Sequence, residues 1–154
     1  MKILIGVDGS SYSDAAIAEV AERLWPAGSE IRVVHAFEIP LAPMPEVWVL
    51  PAEYYEQLDR AMRTQCDSIL EIAIEKLRSQ LPDFKIDGKA IMGAAKGVLL
   101  DEAEAWSADL IVVGSHGYPT WERLLLGSVS QAVVSHAKCS VEVVRLPQAT
   151  KAAA

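Results

Sequence analysis

Apolar and polar residues follow two rhythms along this chain, and the switches between them mark its elements. Lys2–Val7 is a nearly unbroken apolar run, the pattern of a strand covered on both faces. Asp8-Gly9-Ser10-Ser11 follows as turn chemistry with candidate helix caps. Ala15, Ala16, Ile17, Val20, Ala21 and Leu24 then recur at helical spacing until Pro26-Ala27-Gly28 ends the helix. Glu30–Phe37 reads as a second strand, with His35 inside it as a buried, hydrogen-bonded residue. Four of the eight prolines fall at Pro40, Pro43, Pro45 and Pro51, so regular structure is not expected before Pro51. A long helix over Ala52–Gln80 turns Leu58, Met62, Ile69, Ile72, Ala73 and Leu77 inward, and Pro82 stops it. Phe84–Met92 is a third, more polar strand that suits an edge. Lys96–Trp106 is a helix with Val98, Leu99, Ala103 and Trp106 inward. Asp109–Val113 is the fourth strand, Ser128–Ala137 the last helix and Val141–Leu146 the last strand. Residues 148–154 read as a frayed tail, leaving 1–147 as one domain.

Strands that alternate with helices make a parallel sheet with helices on both faces. The first and fourth strands are the most apolar and belong at the centre. Right-handed crossovers then favour a flavodoxin-like α/β fold, five parallel strands in order 3-2-1-4-5. Its switch point lies between the first and fourth strands, at Asp8–Ser10 and Gly114–Gly117.

The same place carries the strongest motif. Gly114-Ser115-His116-Gly117 follows the fourth strand, and nine residues later comes Gly127-Ser128 at the start of a helix. Glycine removes the Cβ that would keep the backbone from a ligand. A helix start offers unpaired N–H groups and the positive end of the macrodipole. The expected ligand is a nucleotide or another phosphorylated small molecule. Ser128 and Ser130 would donate hydroxyls, and the amides of Ser128, Val129 and Ser130 would donate N–H bonds. A plainer reading has Ser128 capping the helix in a capping box with Gln131. His116 is placed to approach a phosphate or to have no role. Asp8 repels phosphate, so it suits a ribose hydroxyl, a base amine, a metal ion or a simple turn. Ser10, Ser11 and Ser13 resemble a flavin-phosphate loop, against which Asp8 and Asp14 stand.

Charge narrows the partners. A net charge of −7 opposes binding to nucleic acid or anionic lipid. No apolar run approaches the ~20 residues of a membrane span, and the start lacks a signal-peptide pattern, so a cytoplasmic place is expected. Cys66 and Cys139 fit free thiols, and His136 with Cys139 does not make a zinc site. The chain has no G-x-x-x-x-G-K-[ST] loop, no G-x-S-x-G elbow and no G-x-G-x-x-G after the first strand.

From Lys2 to about Leu146 the sequence resembles the universal stress protein family. The residues that carry the resemblance are Ile3–Asp8 with Gly9-Ser10, His35-Ala36, Ala108–Val113, and above all the glycine spacing just described. That spacing resembles the ATP-binding branch of the family. The resemblance implies ATP or AMP, with magnesium or manganese on the phosphates. It implies Val7, Asp8 and Ala36 at the nucleoside end, and Gly114, His116, Gly117, Gly127, Ser128, Val129 and Ser130 at the ribose and phosphates. It also implies a homodimer through the last strand, Val141–Arg145, in a nucleotide-responsive module with a protein partner. Departures are Ser140 where the family commonly has proline, Glu142 in the last strand, and Tyr118 where a basic residue is frequent. Two other functions stay open from the residues alone. One is a slow metal-dependent ATPase or phosphotransferase using Asp8; the other is an FMN-binding electron carrier.

Overall fold

The structure, a computed structural model, describes residues 1–38, 51–117 and 126–146. The element order is β1 (Lys2–Val7), α1 (Ser11–Glu22), β2 (Glu30–Phe37), α2 (Ala52–Gln80), β3 (Lys85–Met92), α3 (Ala95–Trp106), β4 (Leu110–Gly114), α4 (Ser128–His136) and β5 (Ser140–Val144). The strands form one parallel sheet in the order β3-β2-β1-β4-β5. The expected topology and the polar edge strand both hold. The expectations for Pro40, Pro43 and Pro45, for Tyr118 and for the tail fall outside the described residues.

Alternation along the central strands builds two cores. Ile3, Ile5, Ile31, Val33, Leu110 and Val112 face α1 and α2. Leu4, Val34, Ile111 and Val113 face α3 and α4. Covering both faces explains why β1 and β4 read as continuous apolar runs. On α2 the buried stripe is Cys66, Leu70, Ala73 and Leu77, spaced by four, three and four. Ile72, expected inward, is 52% exposed because it falls about 120° from that stripe. Leu24, also expected inward, is 97% exposed. Arg23 is already extended beyond the end of α1, so Leu24 has left the helical spiral. Trp106 is half-buried and lies under the Arg32 guanidinium, 4.3 Å from its ring centre.

Two arginine forks lie outside the cleft. Glu142 on β5 points to the α1 layer, where Arg23 Nη1 and Nη2 each donate to it at 2.7 Å. Its charge is therefore matched on one face of the sheet, while Val141 and Val143 pack on the other. Arg32 makes a second fork with Asp87, at 2.8 and 2.7 Å, and reaches Glu102 at 2.8 Å.

Candidate functional site: a cleft at the switch point

β1, β2 and β4 end at one level, and the starts of α3 and α4 rise beside them. Between them lies a cleft of about 410 Å³. That is within the range of small-molecule sites. All ten residues singled out from the sequence line it: Val7, Asp8, Ala36, Gly114, His116, Gly117, Gly127, Ser128, Val129 and Ser130. Ser13, read from the sequence only as part of a flavin-type loop, also lines it, and so do Gly6, Val34, Ala95, Leu99 and Val113, which were not anticipated as site residues. Leu99 had a weak signal: it is an inward α3 position, and a Cβ on Gly6 would come within 2.9 Å of its side chain. Val34, Leu99 and Val113 form an apolar wall, and all three are buried.

The two helix starts that enter from β1 and β4 are built differently. Gly9 turns the chain at φ +78°. Ser10 then caps α1, its Oγ accepting from the Ser13 N–H at 3.3 Å, while Ser13 Oγ donates to the Ser10 carbonyl at 2.9 Å. Asp14 adds an acid to the first turn. These contacts engage two of the three hydroxyls on which the flavin reading relied. α4 is capped by Gly127, with no side-chain bond and no acid in its first turn. The expected capping box is absent. The helix starts one residue too early for it, since Gly127 accepts the Gln131 N–H at 2.9 Å and Ser128 is already helical.

Side-chain roles at α4 also differ from expectation. Ser130 is buried, and its hydroxyl donates to the Gly114 carbonyl at 2.7 Å. A hydroxyl has one proton, so Ser130 does not offer it to a phosphate while that bond stands. Ser128 is exposed and lines the cleft. The amides of the first turn have no acceptor within their own helix. The His116 ring packs against Tyr12 with centres 5.1 Å apart, and Nδ1 lies 3.2 Å from Ser115 Oγ. Its Nε2 is buried and has no hydrogen-bond partner among the described residues. The ring thus packs on Tyr12 of α1 at the edge of the cleft.

His35 is buried at the end of β2, with Nδ1 2.8 Å from the Val7 carbonyl. A carbonyl only accepts, so Nδ1 carries the proton. Asp8 is the one carboxylate among the described lining residues, and its Oδ1 accepts the Ser10 N–H at 2.9 Å. No Lys or Arg is among them, and the start of α4 contributes positive potential there. No group of three or more His, Cys, Asp or Glu suited to a metal occurs among the described residues. A magnesium ion here would be held by Asp8 and chiefly by phosphate oxygens of a ligand, a common arrangement for that ion. Burial pushes the Cys66 and Cys139 thiols up, which disfavours the reactive thiolates.

Known proteins share this fold. A universal stress protein of Thermus aquaticus is 30% identical over 148 residues, covering 93% of this chain and 97% of the relative. The universal stress protein UspA of Lactobacillus plantarum has a TM-score of 0.72 at 23% identity, over 94% of this chain and 97% of its own. A universal stress protein family member of Arabidopsis thaliana, solved with AMP bound, has a TM-score of 0.68 at 18% identity, over 96% and 93%. Two other universal stress proteins of this fold are solved with cAMP and, from Archaeoglobus fulgidus, with dAMP, at TM-scores of 0.62 and 0.59. The model of the universal stress protein family matches residues 1–145, and the chain belongs to that family.

Proposed function

We propose that this protein is an adenine-nucleotide-binding regulatory module that retains its ligand. The observation that carries the reading is the convergence of a glycine-capped helix start, without a side-chain cap, and an apolar wall on one cleft. The base lies along Val34, Ala36 and Leu99, and the nucleoside end reaches Val7 and Asp8. The phosphates meet the amides of Ser128, Val129 and Ser130 and the Ser128 hydroxyl. AMP, cAMP and dAMP in related structures support an adenine ligand. ATP, with magnesium or manganese on its phosphates, extends the same pose past Gly117 and Gly127.

The module works as a cytoplasmic homodimer joined through Val141–Arg145. β5 is a sheet edge, and an apolar edge strand is a template for pairing. The inward turn of Glu142 toward Arg23 supports this by taking its charge off the edge. Hydrolysis is slow. Fast phosphoryl transfer needs in-line positioning and strong charge stabilisation, and an arginine finger alone is worth about a thousandfold or more.

Three measurements test the proposal. Mass spectrometry of whatever leaves the purified protein on denaturation should find an adenine nucleotide. Calorimetry should show saturable binding of AMP or of ATP with magnesium, and no heat with either would overturn the reading. Light scattering coupled to size exclusion should show a dimer at micromolar concentration.

A further inference from the structure

We propose that Asp8 is a positioning residue: its carboxylate holds the glycine loop against the end of β1, and position 117 is glycine to admit that carboxylate. The inference deepens the nucleotide reading and rests on it only where affinity is measured.

The glycine motif invites an explanation from backbone freedom or from a ligand. Backbone freedom does not apply. The described glycines with positive φ are Gly9, Gly28 and Gly93, so Gly114, Gly117 and Gly127 hold conformations open to alanine. What crowds a Cβ at each is the protein itself, severely at Gly114 and Gly117 and mildly at Gly127. At Gly114 it would come 2.6 and 2.7 Å from the backbone C and O of Tyr12, a fixed part of α1. At Gly127 it would come 3.2 Å from His116 Cα, where the loop crosses itself and the Gly127 N–H donates to the Ser115 carbonyl. At Gly117 it would come 2.5 Å from Asp8 Oδ2, with Asp8 Cγ next at 3.7 Å and nothing else described within 4 Å.

Asp8 is therefore the one described obstacle at position 117, and the obstacle is a side chain that is itself fixed. Its Oδ1 accepts the Ser10 N–H at 2.9 Å, at the entry to α1. One carboxylate at the end of β1 thus bonds the entry to α1 and lies against the loop after β4. An alanine at 117 would turn the carboxylate aside and break the Ser10 bond on the neighbouring loop. The fold would survive, because a side chain yields where the Tyr12 backbone at Gly114 would not.

The test compares the parent with Asp8→Ala, Gly117→Ala and the double variant, first without nucleotide. Amide hydrogen exchange should rise about tenfold or more across Ser115–Gly117 in Asp8→Ala. Gly117→Ala should expose the Ser10 amide to the same degree, an effect on a different loop that a ligand-only role for Gly117 would not produce. Exchange in β2 should stay unchanged. In calorimetry with AMP, the double variant should bind no more weakly than the weaker single variant. Additive losses of affinity would overturn the proposal, and so would parent-like exchange at Ser10 in Gly117→Ala. If Asp8→Ala does not fold, the Ser10 amide in Gly117→Ala decides. If the parent binds no AMP, the nucleotide reading fails and the exchange arm still decides this one.

Discussion

α1 and α4 both start at the carboxyl end of a central strand, yet one start is closed and the other is open. At α1 the protein supplies its own acceptors: Ser10 caps, Asp8 takes the Ser10 N–H, and Asp14 complements the dipole. At α4 the cap is a glycine, Ser130 turns its hydroxyl inward, and the first turn carries no acid. Orphan N–H groups need acceptors. A helix start for which the described residues supply no side-chain cap, in a cleft, is suited to taking an acceptor from a ligand. The difference also separates this cleft from a flavin-type loop, in which the first helix start would have to stay open.

The largest effect expected on this comparison comes from Gly114→Val. Its Cβ would enter the Tyr12 backbone, forcing the start of α1 off the end of β4. A loss of about 3 kcal/mol or more in denaturant unfolding is expected, since overpacking against backbone has no rotamer to relieve it. Ser10→Ala comes next. It removes the cap of α1 and should cost about 1 kcal/mol, while AMP affinity stays within about twofold of the parent. A fall in affinity as large as the fall in stability would mean that the two helix starts are not separate devices.

The smallest effect lies away from both starts. The Arg32 guanidinium holds the Asp87 carboxyl below its ordinary value. A carboxyl lowered in the folded state stabilises above its unfolded pKa, and that contribution is lost as pH falls through the folded one. Asp87→Asn should therefore flatten part of the stability loss below about pH 4. It should cost less than about 1 kcal/mol at neutral pH, because the pair is part-exposed.

Much of this was legible from residue pattern. β1, β2 and α2 begin and end where the apolar runs and prolines put them. The strand order followed from which runs are most apolar, because only doubly covered strands can dispense with polar positions. Ends that depend on a cap were less legible: α3 starts at Ala95 rather than Lys96, and β5 spans Ser140–Val144 rather than Val141–Leu146. Gly114, Gly117, Gly127, Ser128, Val129 and Ser130 could be placed on the cleft because glycines and a helix start mark a place on the chain. Their individual tasks could not. The Ser130 proton goes to a carbonyl sixteen residues away, and Gly114 is barred from a side chain by Tyr12 on another helix. Such partners are set by tertiary approach, which local spacing does not encode.

The central claim is that the open start of α4 receives the phosphate. Ser128→Asp tests it most directly, because it makes α4 resemble α1. An acid in the first turn complements the dipole and should raise stability by about 0.5 kcal/mol. The same acid repels phosphate, so AMP affinity measured by calorimetry should fall about tenfold or more. The account predicts these opposite signs in one variant. AMP binding equal to the parent's, in a protein whose melting temperature has risen, would contradict it.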